Sequence, residues 1–105
     1  MPRVVQFAVL VVDDEDGLRQ PLTRQLGQVE GLRVCGAVGT GDVVLTVAAV
    51  ERPAVVGLDW HGPGMEPVAL IGQLRLVLPQ VRVVVSSSDA TAARDALRAG
   101  ADSFG

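Results

Sequence analysis

Four short apolar runs punctuate the chain: Phe7 to Val12, Leu32 to Val38, Ala54 to Leu58, and Val81 to Ser86. They are rich in valine and mostly apolar on both alternating faces. A half-exposed strand alternates apolar with polar residues, whereas a strand covered on both sides has no need to. The runs are therefore expected to be parallel strands buried between layers. Between them the apolar residues switch to helical spacing. Leu18, Leu22 and Leu26 recur every four residues within Gly17 to Val29. Val43, Val44, Val47 and Val50 mark a second helix from Asp42 to Glu51, with Asp42 as its N-cap. Leu70, Ile71, Leu74 and Leu78 mark a third from Val68 to Leu78. Thr91 to Ala99 is rich in Ala and Arg, and Gly100 behind it is a C-terminal stop. Pro21 falls inside the first helix and is expected to kink it or delay its start.

Strand and helix alternate four times. That order predicts an α/β fold with a parallel sheet and right-handed crossovers. No linker, repeat or low-complexity segment interrupts residues 1–105, which read as one domain. Ala101 to Gly105 reads as the opening of a fifth strand, incomplete and without a helix after it.

Composition narrows the picture. About half of the residues are apolar (49%), enough for a real core, but Phe7, Trp60 and Phe104 are the only aromatics, so Val, Leu, Ile and Ala must fill it. The net charge of −3 offers no basic footprint for nucleic acid and no polybasic signal for a membrane surface. All basic side chains besides His61 are arginines; there is no lysine. Cys35 is the single cysteine, which rules out an internal disulfide. No apolar run approaches a membrane span and no signal peptide is recognisable, so a cytoplasmic location is expected.

The candidate chemistry lies in the acids. The first strand ends in Asp13-Asp14-Glu15 and the third in Asp59. Ligands of open α/β sheets sit beyond the carboxyl ends of the strands. If the first and third strands are neighbours, about 4.8 Å apart, three carboxylates share one site. Their repulsion calls for a hard divalent cation with oxygen ligands, and Mg²⁺ fits because it needs only one or two carboxylates. Glu15 and Asp16 read instead as helix-start residues. The fourth strand ends in Ser86-Ser87-Ser88-Asp89. Ser88 and Asp89 read as a helix cap, while Ser87 reads equally as a cap or as a hydroxyl donor to an anion carried on Asp59.

These residues resemble a known family, the receiver domains of two-component response regulators. Val11-Val12-Asp13-Asp14-Glu15 is similar to its acidic motif, and Pro53 to Asp59 to the run into its phosphoacceptor. Asp59 to Glu66, with Pro63-Gly64-Met65, is similar to the turn that follows. Val83 to Ser88 resembles the strand ending in its Thr or Ser, and Ala96 to Asp102 the join into its fifth strand. The resemblance implies a flavodoxin-like doubly wound sheet of order 2-1-3-4-5. It implies that Asp59 accepts a phosphoryl group from a sensor histidine kinase or a small phosphodonor. It assigns Mg²⁺ or Mn²⁺ to Asp13, Asp14, Asp59 and the backbone carbonyl of His61. Ser87 becomes the switch hydroxyl and Phe104 the switch aromatic. The domain would assist its own phosphorylation and dephosphorylation without turning over an external substrate. The Gly31-to-Gly41 and Ala96-to-Ala101 segments look most like receivers attached to helix-turn-helix transcription regulators, the DNA contact lying outside these residues.

The chain also departs from the family. The family's strand-five lysine would fall just past Gly105. Gly62 replaces a larger apolar residue, and Pro67 replaces a common glycine. An incomplete fifth strand without its helix is expected to leave one flank uncovered and to invite association with a second copy. Two other readings stay open: a receiver that serves only as a phosphorylation-independent interaction module, and a small phosphatase with an aspartate nucleophile. The second lacks the usual acid two residues after the nucleophile, where His61 stands.

Overall fold

Valine-rich runs form the sheet because β-branched side chains pack well on a pleated surface. The computed structural model describes residues 7–13, 23–24, 26–39, 41–59, 67–86 and 92–104. Its elements are β1 (Phe7–Val12), β2 (Leu32–Val38), α1 (Gly41–Glu51), β3 (Val55–Asp59), α2 (Pro67–Val77), β4 (Arg82–Ser86), α3 (Ala92–Arg98) and β5 (Ser103–Phe104). All strand pairs are parallel, in the order β2-β1-β3-β4-β5. The expected doubly wound order is therefore present. β5 contributes two residues, Ser103 against Val84 and Phe104 against Val85.

Several boundaries move by a residue. β3 starts at Val55 and runs through Asp59, and β4 starts at Arg82. α1 begins at Gly41, so Asp42 lies inside its first turn rather than outside it as a cap. α2 begins at Pro67, whose fixed φ and missing N–H suit a helix start. Of the first expected helix, Thr23, Arg24, Leu26 and Gly27 are helical; the chain has left the helix by Gln28, earlier than the expected Val29. Pro21 lies outside the described residues.

One face of the sheet carries the main core. Leu10 and Val12, Val56 and Leu58, and Val83 and Val85 alternate onto it from β1, β3 and β4. Val44 and Ala48 of α1, Leu70, Ile71 and Leu74 of α2, and Ala96 of α3 close over them. The spacing of Leu70, Ile71, Leu74 and Leu78 thus reports a buried face, as expected. In α1 it does not: Val44 is sealed, but Val43 is half exposed and Val50 is 75% exposed. A helix with valine on every side does not declare its inner face.

The opposite face is graded. Val9 and Val11 of β1 are buried, whereas Val84 of β4 is 37% exposed and the Arg82 side chain 74% exposed. Burial on both faces, expected of every strand, therefore holds for β1 and fails for β4. Between them Gly57 of β3 presents no side chain.

Two local features fix the frame. The pairing of β1 with β2 shifts between Val9 and Leu10, so Val34 pairs with Val9 and Gly36 with Leu10. Cys35 is the extra residue of this bulge. At the end of α1, Arg52 takes a φ of 48°, and its N–H donates to the carbonyl of Ala48 at 2.9 Å. That left-handed stop usually falls to glycine and costs another residue about 1–2 kcal/mol.

Candidate functional site

Asp13 is the residue immediately after β1. Its N–H donates to the carbonyl of Val38 at the end of β2 (3.0 Å), which holds the backbone in line with the sheet. It is the buried polar residue among the described ones, at 7% exposure. Asp59 is the last residue of β3 and is half buried. Val12 pairs with Leu58 in register. The next residue on each strand is Asp13 on one and Asp59 on the other, so the two acids leave neighbouring strands at one level, about 4.8 Å apart between backbones.

Asp59 also pairs in register with Ser86 of β4. β3 thus lies between β1 and β4, held on the β4 side up to its final residue. This position, at the carboxyl ends of three adjacent strands, is where open α/β sheets place ligands. Two carboxylates held side by side repel, and a hard cation with oxygen ligands relieves that repulsion.

Asp14, His61 and Ser87 lie outside the described residues, as does the side chain of Phe104. Among the described residues no group of three His, Cys, Asp or Glu side chains could hold a metal ion. The register of β1 with β3 sets the backbones of Asp13 and Asp59 at one level on neighbouring strands.

A second polar cluster escaped sequence reasoning. The Arg75 guanidinium of α2 donates to the carbonyl of Val81, to the carbonyl of Gly100 (2.6 Å) and to Oδ2 of Asp102 (2.8 Å). The same carboxylate oxygen accepts the N–H of Val83 at 2.7 Å. In return the N–H of Asp102 donates to the carbonyl of Val83 at 2.9 Å. Asp102 thus extends the ladder between β4 and β5 with its side chain. The Arg75 hydrogen bond first, and the Val83 N–H second, hold its carboxyl below the ordinary carboxylate range. Arg75 and Asp102 are far apart in sequence, and no local spacing announces the pair.

Cys35 is a partly buried free thiol packed against the core. Burial, and then the nearby Glu51 carboxylate, push its thiol up, which favours the protonated form.

Comparison with known proteins bears on this geometry. Residues 9–104 match the model of the response regulator receiver domain family. The response regulator GacA of Pseudomonas aeruginosa is 39% identical over 77 residues, 73% of this chain and 36% of GacA. The transcriptional activator ExaE of Pseudomonas putida is 36% identical over 101 residues, 93% of this chain and 47% of ExaE. The chain thus spans between a third and a half of the length of these relatives. Among solved structures, the signal receiver domain of the response regulator NarL from Mycobacterium tuberculosis superposes with a TM-score of 0.84 at 27% identity, covering 95% of this chain and 82% of that one.

Proposed function

Because this chain belongs to the family of response regulator receiver domains, we propose that it takes up a phosphoryl group on Asp59 from a sensor histidine kinase. The observation that supports this reading is the register of Val12 with Leu58, which brings Asp13 and Asp59 out of adjacent strands side by side.

In the proposed step a carboxylate oxygen of Asp59 attacks the phosphorus of a phosphohistidine. The new P–O bond forms as the P–N bond breaks, and the electron pair returns to the imidazole nitrogen, leaving an acyl phosphate on Asp59. Such transfer needs chiefly positioning and neutralisation of spread negative charge. β3 supplies the positioning, because its last residue is paired in the sheet on the β4 side. Asp13, Asp14, Asp59 and the carbonyl of His61 would hold Mg²⁺ or Mn²⁺, and the carboxylate oxygens of Asp13 and Asp59 are donors of the right hardness. When bound, the ion supplies positive charge against the phosphoryl oxygens. Ser87 follows Ser86, the register partner of Asp59, and would donate its hydroxyl to a phosphoryl oxygen. Phe104 pairs with Val85 on the same strand, so a movement of the β4 end reaches β5 directly. The output would lie in a separate DNA-binding segment, and the setting would be the cytoplasm.

Trp60, next to Asp59, is the single tryptophan and reports on the site. Mg²⁺ should change its fluorescence, and beryllofluoride added afterwards should give a second, saturable change. Asp59→Asn should abolish the second response. A protein silent to both additions, or an Asp59→Asn variant that still responds to beryllofluoride, would overturn the assignment.

A further inference from the structure

The proposed chemistry uses the carboxyl ends of the strands and leaves their amino ends unexplained. There a cleft of about 750 Å³ opens beneath the starts of β1, β2, β3 and β4, within the size range of small-molecule sites. Phe7, Leu32, Pro53 and Leu78 give it apolar walls, and Arg52 and Arg82 stand on it as cations. Phe7 is 54% exposed, a large apolar side chain left facing water.

The charge of the cleft is one-sided. None of the described residues that line it is acidic. Glu51, next in sequence to Arg52, is not among the lining residues. Asp102 Oδ1 lies 3.9 Å from the Arg82 guanidinium, a long and exposed contact that neutralises the cation only in part, while Oδ2 is committed to Arg75 and to the Val83 N–H.

We propose that this cleft binds a small organic acid with an apolar body and a single anionic head. Its rings or alkyl chain would lie against Phe7 and Leu78, and its head between the two guanidinium groups, which suit a planar carboxylate or a sulfonate. The shape argues against a peptide, because strand ends rather than a strand edge form the cleft and offer no ladder to an extended chain. Two arginines on a chain of net charge −3 argue against a nucleic acid.

Anilinonaphthalene sulfonate is the probe, with uncharged phenylnaphthylamine as the matched compound lacking the anion. The sulfonate should bind the 105-residue chain saturably, one-to-one, and shift the amide resonances of Leu32, Ala54, Val81 and Arg82 in NMR spectra. The variant Arg52→Gly with Arg82→Gln should bind it about tenfold more weakly, while phenylnaphthylamine binds parent and variant alike. This variant should remain folded, since glycine suits the Arg52 conformation and Arg82 is exposed, and its beryllofluoride response at Trp60 should persist. No saturable binding, unchanged affinity in the variant, or shifts confined to other parts of the sheet would overturn the proposal.

Discussion

The two faces of the sheet start from the same valines and end differently. On one face, Leu10, Val12, Val83 and Val85 are all sealed, from the inner strand to the outer one, under three helices. On the other, Val9 and Val11 are equally sealed, yet Val84, two strands across, remains 37% exposed. Strand alternation decides which way a side chain points. Only the layer above decides whether it leaves water. A valine therefore has one worth on the helix-packed face and another at the β4 end of the opposite face.

Substitutions can break or sharpen that contrast. The largest effect should come from Leu74→Ala, at the centre of the helix-packed face, which should lower unfolding stability by about 2–5 kcal/mol in urea melts. Val11→Ala should cost about 2 kcal/mol and Val84→Ala no more than about 0.5 kcal/mol. Equal losses at Val11 and Val84 would mean that the opposite face is covered uniformly, and the contrast would fall.

The glycines offer a finer comparison in the reverse direction. A Cβ on Gly36 would meet Leu10 Cδ1 at 3.1 Å and Val47 Cγ1 at 3.3 Å, whereas on Gly57 it would approach only the Leu10 carbonyl at 4.0 Å. Gly36→Ala should therefore destabilise by upwards of about 1 kcal/mol through overpacking. Gly57→Ala should be neutral or raise stability by up to about 1 kcal/mol, because a strand glycine is entropically costly. Thermal melts of the pair measure the difference in free space between the two faces.

The smallest effect concerns the β4 edge and is read through pH. The Asp102 carboxyl is lowered in the fold, so its ionised form contributes stability above the ordinary carboxylate pKa and loses it as pH falls through the lower folded value. Asp102→Asn should be less stable than the parent at neutral pH, and the gap should close below about pH 4. A gap independent of pH would show that the charge of Asp102 is immaterial.

Much of this was legible in the sequence, for identifiable reasons. Strands of valine bounded by acids and serines announced their parallel direction and that Asp13 and Asp59 stand at the carboxyl ends of their strands. Leu70, Ile71 and Leu74, with Leu78 just past its end, gave the inner face of α2, because Gly72, Gln73 and Arg75 interrupt the apolar run between them, although Val68, Leu76 and Val77 are apolar and exposed. Val43 and Val50 misled, since a helix with apolar residues on all sides carries no phase. The Arg75–Asp102 pair was invisible, because it exists only after α2, β4 and β5 have been brought together. The amino-end cleft was invisible too, being assembled from the first residues of strands that were read for their last ones. The expectations placed on Asp14, His61 and Ser87 fall outside the described residues.

The Arg75 cluster has a consequence for time as well as energy. β5 is described over two residues, too few to hold themselves in place by backbone bonds alone, and their tether is a guanidinium borrowed from α2. The amide proton of Val83, locked onto the Asp102 carboxylate, becomes a clock for that tether. Its exchange with solvent should keep pace with the release of Arg75 rather than with the opening of the central strands.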